Sequence, residues 1–246
     1  MIIKKQVVTG FCRGAKSYDQ VADLQSKTAQ SVIKLVRGGS VHRVLEMGCG
    51  TGILSQSVLA LFPDAHFCLT DIAPDMLEQC RQKIPESKSV QYLCADGEYA
   101  TWKAKFDLIV SNMVIHWFNQ PMEGLRHLRD KLQQNGRLVF SILGAQSFHE
   151  WQSICAKFDV PVATPVFPSF HTLKQDLPDF TFHLDSIKMK YKNVNDFLTT
   201  LKRLGAATSR AHYVPMPIKT LRKILREYKQ EIEITYEIIY GEYTQA

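Results

Sequence analysis

Apolar and polar positions along this chain switch repeatedly between a spacing near two and one near 3.6, the signatures of strands and amphipathic helices. Apolar runs at residues 41–47, 66–70, 90–95, 106–111 and 137–143 predict five short strands. Residues 53–61, 75–83 and 122–132 carry their apolar side chains on one helical face, the second of these opened by Pro74. Alternation of this kind predicts an α/β fold, a mostly parallel sheet with helices on both faces. Upstream, Val21, Leu24, Val32, Leu35 and Val36 share one side of a helix over 17–36. Downstream, 186–192 alternates Ile187, Met189 and Tyr191 with polar residues, and 232–240 does the same with Ile232, Ile234, Tyr236, Ile238 and Tyr240. These two strands bring the sheet to seven and are expected to pair antiparallel at its edge. A tight hairpin would join them by about two to five residues, yet residues 193–230 intervene with a helical pattern, so that insertion reads as a lid. Residues 144–185, with Pro161, Pro165, Pro168 and Pro178, read as an irregular second piece of cover. A single domain over 1–246 is expected: a helical segment 1–40, a core 41–143, the cover 144–185, and edge strands with their lid over 186–246.

Composition changes this picture little. The 246 residues are 45% hydrophobic and 22% charged, ordinary values for a globular chain. No apolar run approaches the ~18 residues of a membrane span, and MIIKKQVVTGF lacks a leader's apolar stretch and cleavage site, so a cytoplasmic location is expected. Six cysteines without a CxxC pair and eight histidines without HExxH predict free thiols and no metal. Charge is more informative. The net +6 divides evenly between the two halves, but residues 186–229 hold eleven Lys or Arg against Asp196 and Glu227. That segment reads either as a solvated face or as an attraction for an acidic partner or nucleic acid.

The chemistry concentrates at Val44-Leu45-Glu46-Met47-Gly48-Cys49-Gly50-Thr51-Gly52, a buried strand entering a glycine turn ahead of a helix. Glycines at 48, 50 and 52 allow backbone N–H groups to approach a ligand, and the helix start favours an anionic group such as a carboxylate. A dinucleotide fingerprint would place its third glycine where Ile53 stands, so the spacing argues against NAD. Asp71 closes the second strand nineteen residues beyond Gly52, where a carboxylate can accept both hydroxyls of a ribose. Asp96 ends the third strand, positioned to accept from an adenine amino group, and Ser111-Asn112 ends the fourth. A nucleoside-bearing ligand is therefore expected across the strand ends.

These residues resemble the motifs of the class I S-adenosylmethionine-dependent methyltransferases, over about residues 41–143. The resemblance implies a Rossmann-like fold in which Glu46 orients the methionine end, Gly48 and Gly50 line it, Asp71 binds ribose and Asp96 sits by adenine. Ile72 and Met76 would sandwich the base, although Met76 reads equally well as a core methionine. Asn112 would lie beside the cofactor. The flanks narrow the family. Phe11-Cys12-Arg13-Gly14-Ala15-Lys16-Ser17-Tyr18-Asp19 with Ala22 and Gln25, then His116-Trp117, Leu201-Lys202-Arg203-Leu204-Gly205-Ala206 and Tyr236-Glu237-Ile238-Ile239-Tyr240-Gly241 are similar to the malonyl-acyl-carrier-protein O-methyltransferases of biotin synthesis. Two features depart from that family: His116 stands where many members have glutamine, and 144–185 matches poorly.

The resemblance implies methylation of the free carboxylate of a malonyl thioester, carried by an acidic acyl carrier protein or by coenzyme A, with neither nucleic acid nor membrane as partner. An ionised carboxylate needs no general base, so placement and exclusion of water carry the acceleration. Arg13 and Lys202 are the expected electrostatic hold, Tyr18 and Trp117 the walls, and His116 a hydrogen-bond donor. On a helical wheel Lys202 borders the face formed by Val194, Phe197, Leu198, Leu201 and Leu204, whereas Arg203 opposes it. Other acceptors share every cofactor motif, among them other small acids and quinone ring carbons. A non-catalytic S-adenosylmethionine-binding protein shares them too. No NPPY-type tetrapeptide follows the fourth strand, where a base-flipping enzyme would want a stacking group.

Overall fold

The computed structural model describes residues 2–36, 39–208 and 213–246. Seven strands form one sheet: β1 (Arg43–Met47), β2 (His66–Asp71), β3 (Val90–Cys94), β4 (Phe106–Asn112), β5 (Leu132–Leu143), β6 (Thr181–Tyr191) and β7 (Ile232–Thr244). Their order is β3-β2-β1-β4-β5-β7-β6. The first five neighbours run parallel, and β7 lies antiparallel between β5 and β6. The chain winds outward from β1 to β3 and then returns to β4 on the other side. That reversal opens a crevice beyond the carboxyl ends of β1 and β4, where open α/β sheets hold their ligands.

Nine α-helices surround the sheet among the described residues: α1 (Lys4–Gly14), α2 (Asp23–Leu35), α3 (Ile53–Leu61), α4 (Pro74–Lys83), α5 (Pro121–Arg129), α6 (His149–Lys157), α7 (Phe170–Asp176), α8 (Val194–Arg203) and α9 (Ile218–Glu227). Consecutive strand residues point to opposite faces, and both faces are apolar. Val44, Leu108 and Val139 pack on the side of α2 and α3, while Leu45, Ile109 and Phe140 pack on the side of α5 and α7. Central strands covered on both faces read as continuous apolar runs, which is why β1 and β4 stood out in the sequence. None of the described helices is long and apolar enough to cross a membrane.

The fold class expected from the sequence is the one observed, a mostly parallel seven-stranded sheet of the Rossmann-like class I methyltransferase type with an N-terminal helical segment. Several boundaries differ. The helix expected over 17–36 is divided: a 3-10 turn, Ala15–Gln20, precedes α2, with the break at Val21 and Ala22. Asp19 causes the division. Its carboxylate accepts from Thr51 Oγ1 at 2.5 Å and pairs with Lys83, so this turn is tied to the glycine loop rather than continuing a helix. The segment 1–40 was expected to be helical, but no separate helix was expected ahead of residue 17, where α1 stands. The segment 144–185 holds α6, α7, whose Ser169 cap accepts the Thr172 N–H at 3.0 Å, and the start of β6. Between β6 and β7 lie α8 and α9, with residues 209–212 outside the described chain.

Candidate functional site

Glu46 is the anomaly in β1. Its side chain is buried among the apolar Val44, Leu45 and Met47 of the strand, and its Oε2 has no hydrogen-bond partner. Burial raises its pKa well above the ordinary carboxylate value. A buried, unpaired carboxylate is costly unless a cation reaches it, and Glu46 lines the cavity at the crevice. The glycine turn begins two residues on. Gly48, Gly50 and Gly52 all have positive φ, +71°, +54° and +88°. A side chain at Gly48 would collide with Val114 at 2.3 Å, whereas one at Gly50 would meet nothing within 4 Å because that backbone faces the open cavity.

Asp71, at the end of β2, holds this turn in place. One carboxylate oxygen accepts the Gly50 N–H at 2.9 Å and the other the Ala73 N–H at 2.8 Å. Each oxygen keeps a second lone pair for a hydroxyl. Burial lifts the pKa of Asp71 to about 6, against the downward pull of those N–H donors. Ile72 and the fully buried Met76 line the same cavity, as do Asp96 and Asn112. The Asn112 side chain is already committed: Nδ2 donates to the Gln25 carbonyl at 3.0 Å and Oδ1 accepts from Ser141 at 2.7 Å. It supplies a wall rather than a free amide.

α1 forms the roof. Its Lys4 ammonium lies 3.0 Å from Asp96 Oδ1 and 2.8 Å from Glu98 Oε2, and 4.9 Å from the centre of the Phe118 ring. Glu98 in turn accepts the N–H groups of Asn119 and Gln120. Val7, Phe11 and Trp117 continue the roof, with Phe11 edge-on to Trp117 at 5.5 Å. The far end of α1 meets the end of α8 with glycines on both sides. A Cβ at Gly10 would lie 2.4 Å from the Gly205 carbonyl oxygen, and one at Gly14 would lie 2.7 Å from that of Arg203.

A second cavity of about 340 Å³ adjoins the first. Phe11, Tyr18, Gln25, Met113 and Trp117 belong to the walls of both. Met113, just past β4, is a non-glycine residue with φ +59°, a strain of the kind that gathers at functional sites. The Tyr18 hydroxyl is held protonated, its pKa pushed up by burial and by the carboxylates of Asp71 and Asp19. His116 lies on the second cavity alone. Burial lowers its pKa to about 3, so it is neutral at physiological pH. Its Nδ1 accepts the Leu143 N–H at 3.4 Å, which places the ring proton on Nε2. Leu198, Leu201 and Leu204 of the α8 face, with Phe148, Trp151 and Phe167, make the remaining wall strongly apolar.

Two expected residues are not brought to this site. Arg13 and Lys202 are exposed, and neither lines a cavity. No Lys or Arg among the described residues lines the second cavity. The close approach of α1 and α8 explains the misplacement: it seats Leu201 and Leu204 inward and leaves position 202 on the outer surface. Arg203, as its place on the wheel implied, faces away, donating to Gln20 Oε1 at 2.5 Å. Sequence reasoning missed Lys4, gave Gln25 no role although its Oε1 is buried without a partner, and missed Met113. The recurrence of Val7, Phe11 and Gly14 at helical spacing is the signal that could have found α1.

A buried carboxyl oxygen without a partner above a glycine turn suits an ammonium, and a fixed carboxylate at the end of β2 suits a ribose. S-adenosylmethionine carries both groups, and the sheet order with its antiparallel β7 is that of the enzymes that use it: the chain is a class I S-adenosylmethionine-dependent methyltransferase. Residues 45–138 match the family model of a methyltransferase domain. The solved N-methyltransferase NodS from Bradyrhizobium japonicum WM9 shares the fold, with 13% identity, a TM-score of 0.50, and 95% of this chain and 98% of that one covered. A malonyl-[acyl-carrier protein] O-methyltransferase of Magnetococcus marinus is 32% identical over 83% of this chain and 78% of its own length. Another, from Ilyobacter polytropus, is 30% identical over 98% and 94%. The chain belongs to the malonyl-[acyl-carrier protein] O-methyltransferase family.

Proposed function

We propose that the chain methylates the free carboxylate of a malonyl thioester borne by acyl carrier protein, giving the methyl ester that enters biotin synthesis. The observation that carries this reading is the apolar second cavity, which opens from the cofactor cavity across Tyr18, Met113 and Trp117. Glu46 would take the ammonium of S-adenosylmethionine, Asp71 its ribose, and the free oxygen of Asp96 its adenine amino group, between Ile72 and Met76. Bound there, the cofactor supplies an electrophilic methyl on a sulfonium, so transfer to a carboxylate annihilates charge. Such a reaction is favoured by an environment that solvates separated charges poorly. A wall with no Lys or Arg among the described residues suits the step better than the Arg13 and Lys202 hold expected from the family. Neutral donors remain, the Tyr18 hydroxyl and His116 Nε2–H, which orient an oxygen without neutralising it. Trp117 closes the junction against water.

Arg13 and Lys202 receive a different role here, as part of an outer basic rim. On α9, Lys219, Arg222 and Arg226 are exposed, and among the described residues none of the three forms an ion pair. The same helix and the chain before it contribute Tyr213, Met216 and Leu221 to the second cavity. An acidic carrier protein docked on α9 would therefore stand at the cavity from which its acyl arm is received. On this reading the reaction belongs to the cytoplasm, a compartment in which free thiols are ordinarily kept reduced. The test is methyl transfer from labelled cofactor to malonyl, succinyl and acetyl thioesters. Malonyl should be methylated and acetyl, lacking a free carboxylate, should not; labelling of acetyl or silence with malonyl would overturn the assignment.

A further inference from the structure

Tyr191 ends β6 opposite Ile232, and Tyr236 stands four residues further along β7, on the same face of the sheet. Their hydroxyl oxygens meet at 2.6 Å in a buried hydrogen bond, and both residues line the second cavity. Burial raises both pKa values, so each oxygen keeps its proton. A phenol has a single proton to donate. One of the two lies between the oxygens, and the other has no acceptor among the described residues. No Asp or Glu among those residues lines the cavity to take it. A buried hydroxyl proton without an acceptor costs free energy until a guest supplies one.

The pair stands apart from the junction of the two cavities. His116, whose ring lies 5.4 Å from that of Trp117, meets Phe167 at 5.6 Å; Phe167 meets Phe148 at 6.0 Å, and Phe148 meets Tyr236 at 4.9 Å, centre to centre. Two aromatic rings thus intervene between His116 and Tyr236. An oxygen held at the tyrosine pair is therefore a different one from the carboxylate oxygen that Tyr18 and His116 would orient. We propose that the Tyr191 and Tyr236 hydroxyls form a second oxygen subsite, donating to a neutral carbonyl of the arm that carries the acyl group. A carbonyl suits the pair because it accepts a hydrogen bond without bringing in charge. A second carboxylate there would meet no Lys or Arg among the described residues and would stay unpaired. The arm of a carrier protein or of coenzyme A offers a thioester carbonyl and amide carbonyls, which share this acceptor chemistry. The subsite grips the arm and not the reacting atoms, so it acts on substrate affinity rather than on the transfer step. The inference rests on the malonyl thioester reading.

The experiment compares the native protein with the double variant Tyr191→Phe/Tyr236→Phe. Removing both partners together leaves no orphan hydroxyl, so thermal unfolding and affinity for S-adenosylhomocysteine should match those of the native protein. Steady-state methyl transfer is then measured with the malonyl thioesters of coenzyme A, of N-acetylcysteamine, which keeps one amide, and of butanethiol, which keeps none. The variant's Michaelis constant for the coenzyme A thioester should rise about three- to tenfold, the worth of one neutral hydrogen bond, with kcat nearly unchanged. The same rise with the butyl thioester would assign the subsite to the thioester carbonyl, and a rise that requires an amide would assign it to the arm's amides. Unchanged Michaelis constants with all three, or a fall in kcat alone, would overturn the subsite. A variant that unfolds or loses cofactor affinity would overturn it too, by showing the pair to be structural. A native protein silent with every malonyl thioester would overturn the acceptor reading, and the subsite with it.

Discussion

Lowering the pH from 7.5 to 5 should weaken binding of S-adenosylhomocysteine through the protonation of Asp71. In the free protein burial holds that carboxyl at about 6, above its ordinary 3.8. Accepting two ribose hydroxyls favours the ionised form, so binding releases a proton whenever the pH lies below that value. The affinity should then be nearly constant above pH 7 and fall about tenfold per unit below 6, leaving it roughly tenfold weaker at pH 5. Calorimetric titration in buffers of different ionisation enthalpy counts the released proton directly. Glu46, itself raised by burial, contributes a separate phase. Asp71→Ala should therefore abolish the phase near pH 6 and weaken binding at pH 7.5 by the ~1.5–3 kcal/mol typical of hydrogen bonds to a charged group. A flat profile for the native protein, or the same slope in Asp71→Ala, would refute the ribose assignment. Stability runs the opposite way: because the folded pKa exceeds the unfolded one, the contribution of Asp71 to the stability of the free protein is fully present below about pH 4 and is lost as the pH rises through 6.

Glu46→Gln should weaken cofactor binding by about tenfold or more, since the ammonium loses its counter-charge, while thermal unfolding of the free protein should not fall, because an unpaired buried carboxylate is removed; an unchanged dissociation constant would count against the methionine-end assignment. Reversing Lys219, Arg222 and Arg226 to glutamate should depress activity on malonyl-acyl carrier protein far more than on malonyl-coenzyme A, and equal losses would exclude docking at α9. Gly10→Val should push α1 off α8 and raise the Michaelis constants for both cofactor and acceptor, the substituent meeting the Gly205 carbonyl; a rise for one substrate alone would show that the two cavities have separate roofs. Lys202→Met should leave malonyl-coenzyme A kinetics nearly unchanged, and a large rise in its Michaelis constant would return that ammonium to the acceptor.

The cofactor half was legible because its information is local. Glu46, the three glycines and Asp71 lie on two strands and a turn whose burial pattern and spacing are written in a few consecutive residues, and a carboxylate in an apolar strand is visible as an exception. The acceptor half is assembled from segments far apart in the chain. A helical wheel gave the apolar face of α8 correctly, and placed Arg203 outward, but a wheel states direction and not depth. Whether Lys202 reaches the cavity depends on how closely α8 lies on α1, and that distance is set by Gly10, Gly14 and Gly205, separated by nearly two hundred positions. α1 itself escaped notice because two glycines and a β-branched pair lower its intrinsic helix preference; packing over the cofactor cavity overrides that preference. Prolines dominated the reading of 144–185, and α6 fits into the stretch before the first of them.

The same glycine contact makes one body of what the sequence presented as two covers. Lys4 fastens α1 over the Asp96 side of the cofactor cavity, and Leu201 and Leu204 of the α8 segment wall the second cavity. Between them, the backbones of Gly10 and Gly205 touch with no side chain to act as a cushion, and Gly205 has φ +78°, which few other residues would tolerate. Neither end can lift while the other stays seated without breaking this contact. Opening the cofactor cavity and opening the acceptor cavity therefore draw on the same displacement, held on one side by a salt bridge and on the other by an apolar face. Phe11 and Trp117 lie at the middle of that body and belong to both cavities, so the roof over the first cavity also completes the wall of the second, where the proposed acceptor carboxylate would be stripped of water.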